Sequence, residues 1–327
     1  MDRAYSRGSR NDRKLFLEAW RLTRARHGDL FTFYLPGMIR YGRERGRYPA
    51  VSITGDRCLL QCDHCRGRLL QPMIQVNEPQ ELLRTGKRLH AAGAHGLLLS
   101  GGSNLSGRLP WELYYDAIAL LVRQTGLFLS AHIGFPDVET CRRLRDAGIR
   151  QALVDVIGDE LTARKVYHLA GAAVVSDSLE SITESGLPMA PHVVAGLYYG
   201  RLRGETEAVE IISRHRPQVL VFVVLTPLKG TPMEKVSPPS PLEVARLIAL
   251  ARISMPDVPI SLGCERPRNT QGRILESMAV RAGATRMAVW SEEAVKETIS
   301  LGLRPRFQST CCSLDYCQAF SRPRPPL

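Results

Sequence analysis

Short apolar runs alternate with amphipathic stretches from about residue 50 to residue 290. The spacing of apolar positions between these runs predicts helices, as in EPQELLRTGKRLHAAG and PLEVARLIALAR, and several end at a glycine. Eight repeats of strand and helix predict a (β/α)8 TIM barrel, an α/β fold in which the loops after the strands build the active site. The predicted strands are AVSIT, GLLLS, LFLSAHI, QALVDVI, MAPHVVAG, VLVFVVL, PISLG and RMAVW.

The chain of 327 residues is 44% hydrophobic, enough for one large domain. We assign residues 49–292 to the barrel. Residues 1–48 form a basic N-terminal extension with helical character, and residues 293–327 form a C-terminal segment that carries cysteines and ends in SRPRPPL. The proline- and arginine-rich tail is typical of disorder.

The formal net charge of +12 predicts attraction to an acidic partner, without deciding between nucleic acid, a membrane surface and an acidic protein. No stretch has the length and apolarity of a signal sequence or a membrane span, so the expected location is the cytoplasm. Disulfides are rare in that compartment. Clustered cysteines there indicate metal ligands or catalytic thiols.

Three of the eight cysteines lie in CLLQCDHC, directly after the first predicted barrel strand. Zinc sites usually carry paired C-x2-C motifs that together supply four ligands. Here three residues separate Cys58 from Cys62 and two separate Cys62 from Cys65, with no fourth ligand nearby. Three thiolates on a four-iron cluster leave one iron open to a small molecule. A purely structural zinc or iron-sulfur site is the alternative.

This motif resembles the signature of radical S-adenosylmethionine (SAM) enzymes. The resemblance implies a 4Fe-4S cluster whose open iron binds SAM, and a 5′-deoxyadenosyl radical that abstracts hydrogen from an unactivated carbon. His64 takes the place of the usual aromatic residue. The other positions that match the family's SAM-binding segments are Gly101, Gly102, Ser103, Asp155, Gly196 and Glu205.

A longer resemblance, over about residues 50 to 290, is to biotin synthase, through FVVLTPLKGTPM and LGCERPRNTQGRILESMAVRAGATRMAVW. The whole pattern, including FYLPGM, SGGSNLSGRLPW and TCCSL, resembles most the split, two-protein lipoyl synthases. The resemblance implies a second, auxiliary 4Fe-4S cluster that donates sulfur, with candidate ligands Cys264, Cys311, Cys312 and Cys317. Further pocket candidates are His132, His192 and Arg268. Cys141 is predicted to be a buried structural thiol.

By this resemblance the chain is a sulfurtransferase that adds sulfur to an octanoyl-lysyl group on an acidic lipoyl carrier protein. A companion lipoyl synthase subunit and an electron donor such as ferredoxin are the other expected partners. Membrane and nucleic-acid partners are not expected. From charge alone we expect the carrier to contact arginines near the barrel entrance, namely Arg40, Arg43, Arg45 and Arg47.

Two other interpretations stay open on the sequence. One is a different biotin-synthase-like radical SAM enzyme, which rearranges a small molecule or methylthiolates transfer RNA, although no RNA-binding module is appended. The other is a non-catalytic metal-binding protein.

Overall fold

The computed structural model describes residues 9–42, 44–317 and 320–321. One curled sheet of eleven strands dominates it, and every ladder in that sheet is parallel. The spatial order of the strands is β13-β1-β12-β11-β10-β9-β8-β7-β6-β4-β5. The strands are β1 (Leu30–Tyr34), β4 (Ala50–Ser52), β5 (Ile74–Gln75), β6 (Gly96–Ser100), β7 (Phe128–His132), β8 (Ile149–Asp155), β9 (Met189–Ala195), β10 (Leu220–Val224), β11 (Ile260–Leu262), β12 (Arg286–Ala288) and β13 (Arg304–Gln308), and a separate hairpin pairs β2 (Arg40–Tyr41) with β3 (Glu44–Arg45).

Ten α-helices lie in the described part of the chain, and eight of them, α2 to α9, occupy the seven connections between β5 and β12. They are α1 (Arg10–His27), α2 (Pro79–Ala91), α3 (Tyr115–Thr125), α4 (Val138–Ala147), α5 (Glu160–Lys165), α6 (Ala173–Ser185), α7 (Glu205–Ser213), α8 (Pro241–Ser254), α9 (Thr270–Arg281) and α10 (Glu292–Ser300). Helix α5 and helix α6 share one connection, between β8 and β9. None of these helices combines the length and apolarity needed to cross a membrane.

Local chemistry explains where the helices begin and end. Ser240 caps α8 in a capping box with Glu243, so two otherwise unpaired backbone N–H groups find acceptors. Gly126 and Gly148 end α3 and α4 in the left-handed region, with φ of 67° and 107°, which glycine enters without steric cost. These caps fix the loops that lead into β7 and β8.

The predicted α/β barrel is confirmed, and each of the eight predicted strands is present as β4 or β6–β12. The sheet nevertheless extends beyond the barrel strands. β1 pairs with both β12 and β13, so residues from the expected N-terminal extension and C-terminal segment belong to the same sheet. Helix α1 is tied to α8 by the buried carboxylate of Asp12, which accepts 2.6 and 2.8 Å hydrogen bonds from Arg246. The division into residues 1–48, 49–292 and 293–327 therefore does not separate independent packing units.

The chain returns under the barrel after β13. We call residues 309–316 the barrel floor, because they cross the end of the sheet at which the parallel strands begin. Gln151 Nε2, near the start of β8, donates to Ser313 O at 3.0 Å. Tyr34 Oη and Arg286 Nη1 donate to Leu314 O at 2.9 and 2.7 Å. These bonds hold the C-terminal cysteines against the barrel interior.

Candidate active site

The first functional loop, residues 55–67, follows β4 and carries Cys58, Cys62 and Cys65; we call it the cysteine loop. Cys62 is buried and the other two are half-buried. The loop is anchored to the turn after β6, where Gly102 N donates to Thr54 Oγ1 at 2.7 Å and Leu59 N donates to Ser103 O at 2.8 Å. This anchoring places the loop at the end of the barrel where the strands finish.

The thiols of Cys62 and Cys65 form a hydrogen-bonded pair in which the two pKa values are shifted in opposite directions. The bond from Cys62, and a further one to His64, hold the pKa of Cys65 at about 4. The bond to Cys65, together with burial, raises the pKa of Cys62 well above that of an ordinary thiol. Of this pair, Cys65 is the thiol that ionises more readily, and thiolates are the form that binds iron.

The next predicted cofactor residues gather on one side of the cysteine loop. Asp155, at the end of β8, accepts a 2.8 Å hydrogen bond from Tyr167 Oη. The ring of Tyr167 lies 5.1 Å from that of His64, whose buried Nδ1 has no hydrogen-bond partner in the described part of the chain. Gly101, Gly102 and Ser103 line the same space. An orphaned ring nitrogen beside an oriented carboxylate fits a bound polar cofactor.

Gly196 and Glu205 are placed differently from the sequence expectation. Neither lines the cofactor side of the barrel. The Glu205 side chain is buried, and its two oxygens accept from the backbone N–H groups of Gly196, at 2.8 Å, and Arg203. Gly196 has a φ of 81°, so Glu205 closes a tight turn and its carboxylate has no oxygen directed at a ligand.

A second thiol group lines the same space, where Cys264 follows β11 and Cys311 and Cys312 belong to the barrel floor. A hydrogen bond from Cys312, supported by Ser313, lowers the pKa of Cys311 to about 6. Cys264 is exposed where it faces the chamber, and desolvation by the protein packed around it raises the pKa of its thiol to about 11. Arg268 donates to the backbone oxygen of Cys264 and stands beside this group.

Cys317 and Cys141 stand apart from both thiol groups. Cys317 does not line the barrel interior, and its N–H donates to Gln308 Oε1 at 2.6 Å. The structure therefore does not bring Cys317 together with the other auxiliary candidates. Cys141 is fully buried on α4, and burial raises the pKa of its thiol to about 12, as expected of a structural thiol.

The two thiol groups line one cavity of about 310 Å³, which we call the chamber. Aliphatic side chains form most of its inner wall: Leu98, Leu153, Val194, Val221 and Val223. Two imidazoles interrupt that wall, the half-buried ring of His132 and the buried ring of His192, with centres 4.9 Å apart. Burial lowers the pKa of both, that of His192 to about 3, so they enter the chamber as neutral polar groups.

Half-exposed apolar side chains mark the mouth of the chamber: Leu69, Met73 and Leu228. Exposed cations flank it, and we call them the basic rim: Arg66, Arg68, Lys229 and Arg268. The arginines expected at the entrance lie elsewhere. Arg40 and Arg45 face each other in the β2–β3 hairpin, and Arg47 N donates to Ser309 O of the barrel floor at 2.8 Å. Arg43 falls outside the described residues.

In the described ranges, no three side chains of His, Cys, Asp or Glu converge on a point where one metal ion would sit. A cubane cluster makes a different demand, because each thiolate binds a separate iron. The three thiols of the cysteine loop, which line one cavity together with His64, fit such a cluster.

Three residues that organise this site were not predicted from the sequence, namely Asp63, Tyr167 and His168. Asp63 accepts from Tyr199 Oη at 2.6 Å and lies 3.1 Å from His168 Nε2. Asp63 stands inside the CDHC motif, so a polar residue between ligands was a usable signal. Nothing in the sequence marks residues 167 and 168.

Comparison with known proteins agrees with this architecture. Residues 222–311 match the Biotin and Thiamin Synthesis associated domain. The chain is 25% identical to the biotin synthase of Cenarchaeum symbiosum over 71% of its length and 74% of that protein, and 27% identical to the biotin synthase of Thermodesulfovibrio yellowstonii over 66% and 69%. The crystal structure of methylornithine synthase superposes with a TM-score of 0.63 at 15% identity, over 92% of this chain and 91% of that one, which shows a common fold.

Proposed function

We propose that this chain, a biotin-synthase-like radical SAM enzyme by its relatives and its fold, inserts sulfur into an alkyl chain held between two iron-sulfur clusters. The observation that carries the proposal is the chamber itself. It is lined by Cys58, Cys62 and Cys65, by Cys264, Cys311 and Cys312, and by the aliphatic wall. An alkyl substrate there would lie within reach of both groups.

The residues of the chain have distinct tasks in this proposal. When bound, the cluster and SAM at the cysteine loop supply the radical that removes hydrogen from the substrate, and the auxiliary cluster supplies the sulfur. Asp155, oriented by Tyr167, offers a carboxylate oxygen to a hydroxyl of the cofactor. The aliphatic wall orients the substrate and keeps water away from the reacting carbon.

The finer proposal is that the substrate is an octanoyl chain on a lysine of a lipoyl carrier protein, and that the chain acts as one component of a two-protein lipoyl synthase. Burying an alkyl chain in the chamber contributes about 0.8 kcal/mol per methylene, so an octanoyl group gains several kcal/mol without any polar anchor. The basic rim supports an acidic carrier, since opposite charges steer the encounter. The companion subunit and an electron donor such as ferredoxin stay predictions, as does the cytoplasmic location.

A second candidate is sulfur insertion into a small molecule that no protein carries. The named relatives favour it, because they are biotin synthases matched along most of their length. The two candidates share the chamber and both clusters. They differ in whether the basic rim contacts a macromolecule during turnover.

The first experiment counts iron and acid-labile sulfide in protein prepared without oxygen. We expect about eight irons per chain in the wild type and about four in the variant with Cys264→Ala, Cys311→Ala and Cys312→Ala, because one cubane is lost. Cys317→Ala is the matched control and should keep about eight. Four irons in both the wild type and the triple variant would remove the sulfur-donor role.

The second experiment separates the substrates. Reduced enzyme with SAM is given octanoylated carrier protein, a free octanoyl-lysine peptide, or small-molecule substrates of the biotin synthase type. Sulfur in the carrier-bound chain supports the lipoyl synthase function. Sulfur only in a small molecule would overturn it in favour of the second candidate.

A further inference from the structure

Residues 166–168, between α5 and α6, contact both the cysteine loop and the cofactor side of the chamber. Asp63 N donates to Val166 O at 2.8 Å, which ties the loop backbone to this segment. The Tyr167 ring packs 5.1 Å from the His64 ring, and its hydroxyl donates to Asp155 Oδ2 at 2.8 Å. One short segment therefore joins the thiol loop to a carboxylate on a different strand.

His168 makes the strongest link to the cysteine loop. Its Nδ1 lies 3.1 Å from Leu60 O and its Nε2 lies 3.1 Å from Asp63 Oδ1. Both partners are acceptors, so each contact is a hydrogen bond when the ring nitrogen facing it carries the proton. The backbone of His168 has a φ of 59°, which is uncommon for a residue other than glycine. The two ring bonds help to hold this unfavourable conformation in place.

Asp63, the acceptor in this link, is itself fixed from other directions. It is 9% exposed and accepts from Tyr199 Oη at 2.6 Å and from Arg66 Nη2 at 3.1 Å. Because Asp63 lies between Cys62 and Cys65, a rigid Asp63 limits the movement of both thiols. Both oxygens of the Asp63 carboxylate are therefore engaged by protein groups.

We propose that Tyr167 and His168 are positioning residues that hold the cysteine loop and Asp155 at a fixed relative position. The cluster bound by the loop and the adenosyl end of SAM bound near Asp155 would then keep the same relative position. This inference rests on the proposed function to the extent that the cysteine loop binds a cluster and SAM. It does not depend on which substrate receives sulfur, or on whether sulfur is inserted at all.

The test uses the full-length protein reconstituted without oxygen and reduced with dithionite. Tyr167→Phe keeps the ring and the backbone and removes only the hydroxyl, while His168→Ala removes both ring bonds. His90→Ala, an exposed histidine on α2, is the matched control. The readouts are iron content, the electron paramagnetic resonance spectrum of the reduced cluster with and without SAM, the Kd for SAM, and the rate of SAM cleavage.

For Tyr167→Phe we expect unchanged iron and about tenfold weaker SAM binding, because a hydrogen bond to a charged group is lost. For His168→Ala we expect an altered or heterogeneous spectrum with SAM, and cleavage slowed about tenfold at equal iron content. His168→Gln should restore part of the rate, since its amide still donates to Asp63. It also replaces His168→Ala if that variant does not fold.

If both variants match the wild type and His90→Ala in spectrum, SAM binding and cleavage, the inference is overturned. If the variants differ as expected while no substrate gains sulfur in any preparation, the positioning role stands and the sulfur-insertion proposal fails. A wild-type protein that binds no cluster at the cysteine loop would overturn both.

Discussion

A methyl group added at Gly102 should displace the cysteine loop. A Cβ atom built on Gly102 would lie 1.9 Å from Arg57 O and 2.6 Å from Cys58 Cα, and both are backbone atoms that no rotamer change can move. The loop cannot relax in place, because Gly102 N is bonded to Thr54 Oγ1 and Thr54 Oγ1 donates in turn to Arg57 O at 3.0 Å. Gly102→Ala therefore moves the segment that carries Cys58.

The size of the effect follows from the geometry. Relieving the contact with Arg57 O requires a backbone shift of about 1 Å, and overpacking of this kind typically costs about 1–3 kcal/mol of unfolding free energy. That cost lowers the melting temperature by several degrees and leaves a chain of this length folded. A shift of about 1 Å is nonetheless large for a ligand, since metal-ligand bond lengths vary by only about 0.2 Å in sound sites.

Gly101→Ala is the matched control. Its added Cβ would lie 3.2 Å from side-chain atoms of Ile53, Leu109 and Thr54, which can yield by a small adjustment. We expect Gly101→Ala to load iron as the wild type does. Gly102→Ala should lose about half of the iron and most SAM cleavage, with a folded circular dichroism spectrum. Equal iron, equal SAM binding and equal cleavage in the two variants would refute the steric reasoning.

Three further predictions test other parts of the molecule. The double variant Arg68→Glu with Lys229→Glu on the basic rim should weaken binding of an acidic carrier at least about tenfold at low salt and flatten the salt dependence of binding. Arg40→Glu on the hairpin is the control and should change neither. Titrations at several ionic strengths measure both effects. Val221→Phe should fill the chamber and abolish sulfur insertion while both clusters and SAM cleavage persist, and product formed at the wild-type rate would contradict the chamber as substrate site. Burial, with the charge of Arg252, lowers the pKa of His27 from 6.5 to about 4. The unfolded chain therefore binds more protons between these values, and the free energy of unfolding should fall as pH drops through that range. His27→Gln should flatten this pH dependence in denaturant titrations, and an unchanged slope would refute the assignment.

The barrel strands were predictable because they are buried on both faces and read as continuous apolar runs. β10 is the simplest case, since LVFVV is buried at every position. β1 and β13 were not predicted, for two different reasons. LFTFY sits within a strongly charged stretch that obscures it, and RPRFQ contains proline and two arginines that do not read as a strand interior. Both form because they pair with each other beside β12.

In the candidate site, too, the residues that follow a local sequence pattern were predictable, and the residues brought together from distant parts of the chain were not. The cysteine loop was predictable because its ligands lie within eight residues and its spacing is specific. The barrel floor was not, because the bond from Gln151 to Ser313 joins positions 162 residues apart and no local pattern records it. Tyr167 and His168 were missed for the same reason. Their roles depend on which loop they meet, and that is decided by the curvature of the sheet.

The barrel floor also constrains how the two thiol groups work together. Cys312 packs against Leu153, Ala190 and Val221 of the inner wall, so the second thiol group is built into the core and not carried on a free tail. Its position depends on β13, which pairs with β1, and β1 pairs in turn with β12. Both thiol groups therefore reach the chamber from the same sheet. Under the proposed function, a substrate that reaches both groups enters the chamber. Its selection would then depend on the aliphatic wall, on the two imidazoles of His132 and His192, and on what the basic rim admits.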